Sequence, residues 1–92
     1  MKVPAGGANQ VFSQGEIKYC LAERVRLEAM QGMLDKTRDA HITNFNFRVD
    51  DFNSRCSNYR YRETDMALAR SEIDAMRGSL RTHAFEQVRE WR

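Results

Sequence analysis

Cys20 and Cys56 are the residues of this chain whose type and spacing most directly suggest chemistry. They lie equally far on either side of Arg38, within a short polar break between two helix-like stretches. If those stretches fold back on one another, Cys20 faces Cys56, Leu27 faces Val49 and Leu34 faces Ile42. The leading reading of the pair is a disulfide. It would close a loop of about 36 residues and stabilise the fold by roughly 3–4 kcal/mol in the chain-entropy model. A bond of this kind belongs to an oxidising compartment. Two other readings stay open. Reduced, the thiols would be small hydrophobes on a helix seam of a cytoplasmic protein. As a metal or redox site they lack company, because zinc takes four ligands and no CxxC is present. His41 stands about 20 Å from the cysteines along the helices, and His83 is on another segment.

A second candidate follows directly. Arg55, Arg60 and Arg62 interleave with Tyr59 and Tyr61. Arginines alternating with tyrosines can hold a phosphate backbone while stacking bases, or grip an anionic membrane surface. The structural alternative packs the tyrosines over the helix ends and pairs the arginines with Asp50, Asp51, Glu63 or Asp65. Catalysis is not expected. Asp50 and Asp51 are adjacent, so on a helix they diverge by about 100° and form no acid–base dyad. Phosphate loops, HExxH and nucleophile elbows are missing from the sequence. No cofactor is expected either.

Those residues must be positioned by a small framework. At 92 residues there is room for one modest core. The 41% hydrophobic and 30% charged fractions fit a folded domain rather than a disordered tract. The net charge of +2 is too small to demand a polyanion. Of the 15 basic residues all but Lys2, Lys18 and Lys36 are arginine, which favours fixed planar ion pairs. No apolar run approaches the ~20 residues that span a bilayer.

Periodicity supplies the elements. Residues 1–12, with Pro4, Gly6 and Gly7, read as a flexible linker leading into a single helical domain over 13–92. Ser13 and Glu16 have capping-box spacing, and the first helix is expected over about 13–36 on Cys20, Leu27 and Leu34. Asp39 is the candidate N-cap of a second helix over about 39–56, whose Ile42, Phe45, Val49, Phe52 and Cys56 make the cleanest seam of the chain. Phe47 lies off that seam and needs another partner. Residues 57–62 read as a loop, and Thr64 or Asp65 as the cap of a third helix over about 64–90. That helix is expected to continue through Gly78 at a cost of about 1 kcal/mol, since its seam resumes in Ala84, Val88 and Trp91. The fold class is therefore all-α: an antiparallel helical hairpin covered by a third helix.

Two stretches carry a resemblance. Tyr19-Cys20-Leu21-Ala22-Glu23 and the run from Phe52 through Cys56 to Arg62 resemble the paired signatures, "YCLAE" and "FN…DYNSRCG.FRYR", of an uncharacterised bacterial helical domain. The resemblance covers roughly residues 13–80. Phe52 stands where that family usually has tyrosine, and Ser57 where it usually has glycine. It implies a module near the C-terminal end of a longer bacterial protein, beyond a membrane helix or linker and facing the cell envelope. It implies no activity.

The expected function is a non-catalytic, disulfide-stapled interaction or assembly module on the periplasmic or extracellular side of a bacterial envelope. The contact would be made with a protein partner or a second copy. Candidate contact residues are Met30, Met33, Phe47, Val88 and Trp91, together with Arg55, Tyr59, Arg60, Tyr61 and Arg62. The alternative is a nucleic-acid- or anion-binding module built on residues 55–62, in a cytoplasmic protein if the thiols are free.

Overall fold

The computed structural model describes residues 1–7 and 9–91. Three helices, α1 (Gln14–Gln31), α2 (Asp39–Cys56) and α3 (Glu63–Glu90), account for most of the chain, with two short strands, β1 (Gln10–Val11) and β2 (Tyr59–Arg60), at one end. The fold is a small all-α three-helix arrangement, as the seams predict. Its centre is α1, which packs on both other helices and more extensively on α3 than on α2. The sequence reading makes α1 and α2 the frame and α3 the cover. α3 covers the hairpin chiefly through α1, in a body of 42 × 28 × 16 Å. The long dimension matches the length of α3, since its 28 residues rise about 1.5 Å each.

Local chemistry explains where the helices begin and end. Ser13 accepts from the Glu16 amide at 3.3 Å, and Glu16 accepts from the Ser13 amide at 3.1 Å, closing the capping box. α1 stops at Gln31, short of the expected Lys36, because Asp35 is committed to a turn. Its carboxylate accepts from the Thr37 amide and hydroxyl at 3.0 and 2.5 Å. Its amide donates to His41 Nδ1 at 3.1 Å. Leu34 consequently lies in the turn, and the expected Leu34–Ile42 helix layer is not formed. Arg38, not Asp39, is the N-cap of α2, and Arg62, not Thr64 or Asp65, is that of α3; neither makes a side-chain cap bond. Asp39, Glu63 and Asp65 occupy the first helical turns instead, where their charge favours the helix dipole.

The expected linker is packed. Pro4 and Phe12 are buried, Lys2 donates through its amide to the Gly15 carbonyl at 3.1 Å, and the Phe12 amide donates to Arg60 at 2.8 Å. β1 pairs in parallel with β2, Gln10 opposite Tyr59 and Val11 opposite Arg60, so part of the expected 57–62 loop is strand. Gly6 holds φ at +91°, and a Cβ there would stand 3.3 Å from the Ser54 carbonyl oxygen. The physical reason for the difference is Phe12. A large apolar residue just before a helix has more to gain from the core than a chain end has to lose in entropy.

The core runs as three patches along α1. Phe12, Ile17, Cys20, Cys56, Met66 and Ala69 form the first. Ala22 and Val25 meet Ile73 and Leu80 in the second. Leu27 and Met30 meet Ala84 and Val88 in the third, with Phe45, Val49 and Phe52 packed against its flank. Ala22, Ala69 and Ala84 have no exposed surface, which is how α1 and α3 approach closely. α3 is unbroken through Gly78, where an added Cβ would meet nothing within 4 Å. Gly78→Ala should therefore stabilise the protein by about 0.5–1 kcal/mol through helix propensity and unfolded-state entropy. Chemical denaturation of the two proteins checks this, and a destabilised variant would contradict an open, helical site.

Candidate functional site

At the end of the molecule where α1 begins, Cys20 and Cys56 stand at disulfide distance, with Cα atoms 5.7 Å apart. Both are buried, at 3% and 8% exposure. The helix seams bring them there: each ends the apolar stripe that its helix turns toward the other, as the register about Arg38 requires. Phe12 and Met66 share their cluster, with Phe52, Tyr19 and Tyr59 at its margin.

The Arg–Tyr segment divides in two. Arg55 Nε bonds both carboxylate oxygens of Asp51, at 3.1 and 3.2 Å, and its terminal nitrogen donates to the Pro4 carbonyl. Tyr59 stacks on Phe12, with ring centroids 4.4 Å apart and planes 5° from parallel. These two side chains are spent on the architecture. Arg60, Tyr61 and Arg62 are exposed. Tyr61 leans on Tyr59 at 5.9 Å between centroids, and among the described residues Arg60 and Arg62 make no ion pair.

Two further polar groups are not singled out by sequence reasoning. Glu23 is buried on the α2 side of α1. Its carboxylate bonds Arg26 at 2.5 Å and lies 3.8 Å from Arg48 of α2. A cleft of about 150 Å³ opens beside it, lined by Tyr19, Asn44, Phe47, Arg48 and Asp51. The i,i+3 spacing of Glu23 and Arg26 was a visible signal. The Arg48 contact depends on how α2 is rotated about its axis, which spacing alone does not give. Phe47, which lies off the α2 seam, edges this cleft and is 72% exposed.

His41 is the other buried polar side chain. Nδ1 accepts from the Asp35 amide, and Nε2 lies 3.1 Å from the Trp91 carbonyl. That pair of partners fits the neutral imidazole protonated on Nε2. The ring also meets Trp91 edge-on at 6.2 Å. Trp91 is thus half-buried where α3 ends against the start of α2. Met30 and Val88, offered as contact residues, lie in the core at 0% and 4% exposure. Among the described residues no helix is long and apolar enough to cross a membrane, and no group of three His, Cys, Asp or Glu could hold a metal.

The chain matches no protein-family model, no curated protein and no solved structure.

Two tyrosines report on this end. Burial raises the phenol of Tyr19, assisted by Glu23 and Asp51. Burial also raises that of Tyr59, assisted by Tyr61. A raised folded value means that the folded protein favours the neutral phenol. This contribution is fully present below the unfolded value of about 10 and is lost as pH rises through the folded values. Spectrophotometric titration should show tyrosinate forming later in the native protein than in denaturant, with Tyr59→Phe removing part of the delayed absorbance. Superimposable native and denatured curves would refute the burial of both rings.

Proposed function

We propose that the chain is a non-catalytic helical interaction module, stapled between Cys20 and Cys56 and working in an oxidising compartment. The observation that carries this reading is the buried pair at disulfide distance between two helices. A pair so placed is compatible with oxidation, and disulfides persist outside the reducing cytosol. The resemblance of the "YCLAE" and Cys56–Arg62 stretches to a bacterial envelope-facing domain points to the periplasmic or outer side of a bacterial envelope. Phe47 supports the interaction role: it is a large aromatic left on the outer side of α2, beside a cleft with charged walls. Such a rim suits an apolar anchor from a protein partner or a second copy.

Two measurements test this. Trapping thiols by alkylation in the native host, then comparing masses with and without reductant, should find Cys20 and Cys56 joined; finding both alkylated removes the compartment assignment. A photo-crosslinking residue at position 47 should give a discrete higher-mass adduct in the host, whereas the exposed position 82 gives none. Equal labelling at both positions would rule out a contact centred on Phe47.

A second reading rests on Arg60, Tyr61 and Arg62, which face outward together at the strand end. They are three of the five residues that an anion- or nucleic-acid-binding role would use, since Arg55 and Tyr59 are engaged internally. If this reading holds, a labelled single-stranded oligonucleotide binds at low salt, and its affinity falls with a log–log slope of about −0.7 per phosphate contact. Absence of binding at about 50 mM salt excludes it.

A further inference from the structure

Three segments distant in sequence converge at the end of the molecule opposite the cysteine pair. The turn after α1 contributes Met33. The start of α2 contributes Arg38 and His41. The last turns of α3 contribute Phe85, Val88 and Arg89, followed by Trp91. Between them lies a cavity of about 270 Å³, close to the lower bound of about 300 Å³ for small-molecule sites. Its walls combine four apolar or aromatic side chains, Met33, Phe85, Val88 and Trp91, with three polar ones, Arg38, His41 and Arg89. His41 fixes the floor, because both ring nitrogens are engaged, one by the Asp35 amide and one at the Trp91 carbonyl. That part of the cavity is therefore held in place by the protein itself.

Charge decides what it would take. Arg38 and Arg89 line the cavity, and among the described residues no carboxylate does. Arg38 shares one ion pair with Asp35 at 3.3 Å, outside the lining. Arg89 makes no ion pair among the described residues, and its guanidinium lies 5.6 Å from the centre of the Phe85 ring. Aromatic walls alone would attract a cation. Here Arg89 already covers the Phe85 ring, and two guanidinium groups repel a second positive charge. A carboxylate meets the opposite situation, since the planar fork of arginine matches its geometry. At about 30 Å³ for each water-sized group, the volume takes on the order of ten non-hydrogen atoms.

We propose that this cavity binds a small amphiphilic carboxylate. Its apolar tail would lie among Met33, Phe85 and Trp91, and its head group at Arg38 and Arg89. The proposal is independent of the state of the cysteines and of any contact at Phe47.

Octanoate below its micellar concentration is the probe, titrated into the full chain. Trp91 is the single tryptophan of the chain, so its emission reports on this site alone, and amide chemical shifts locate the binding. A saturable change should appear in residues 33–41 and 85–91. Octylammonium should bind about tenfold more weakly or not at all, and octanol should fall between the two. Arg38 and Arg89 are exposed, so the double variant Arg38→Gln/Arg89→Gln should keep the wild-type circular dichroism spectrum. It should lose about tenfold in octanoate affinity while leaving octanol binding unchanged. Any of three results overturns the proposal: no saturable shifts in those two segments, octylammonium binding as tightly as octanoate, or a folded double variant with unaltered octanoate affinity.

Discussion

α2 depends on its two ends. Along its length only His41 and Cys56 are buried, and its seam residues Ile42, Phe45, Val49 and Phe52 are half-exposed. Full burial of such a side chain is worth about 1.5–3 kcal/mol, and here each delivers a fraction of that. What holds the helix in place is therefore terminal. At one end Cys56 stands at disulfide distance from Cys20. At the other His41 ties the turn before α2 to the carbonyl at the end of α3. A cross-link there would be worth roughly 3–4 kcal/mol, a large part of the 5–15 kcal/mol that stabilises a typical domain. The pairing of α1 with α3 needs no such help, because three patches of buried side chains and the Lys18–Glu72 ion pair run along it.

The same constraint accounts for the uses to which the polar side chains are put. Arg55, partly buried, bonds Asp51 and the Pro4 carbonyl, which anchors the N-terminal segment to the end of α2. Tyr59 covers Phe12. Glu23 lies between Arg26 and Arg48, so a carboxylate that would be costly to bury alone bridges α1 and α2. The polar groups that look most like functional chemistry in the sequence thus include several that assemble the body, and the outward set shrinks to Arg60, Tyr61 and Arg62.

Much of the fold was legible. The 3,4 spacing of Ile42–Phe45–Val49–Phe52–Cys56 and of Met66–Ala69–Ile73 marks helices that exist where expected. The capping pair Ser13–Glu16 fixes the start of α1, and the equal distances about Arg38 place the cysteines together. The misses share a cause. The end of α1 is set by Asp35 bonding to Thr37 and His41, side-chain bonds that compete with the helix. The N-terminal segment is ordered by Phe12 meeting Tyr59, a contact between residues far apart in the chain. The burial of Glu23 and His41, and the exposure of Phe47, follow from the rotation of α2 relative to α1. Spacing within one helix determines its stripe. It does not determine which neighbour that stripe meets first, and the small residues Ala22, Ala69 and Ala84 give that place to α3.

The parallel ladder between β1 and β2 has a consequence for the chemistry of the cysteines. It pairs two residues on each strand and joins segments separated by all of α1 and all of α2. So short a ladder is the kind of unit that can open locally, below the free energy of global unfolding. Its release would carry away Phe12, which shares the cluster of Cys20 and Cys56. Access of a reductant to a bond between the two sulfurs would then depend on opening of the N-terminal strand, with the helices still folded. Phe12 and its strand would stand between such a bond and the solvent, so its exposure would follow them rather than the helices it joins.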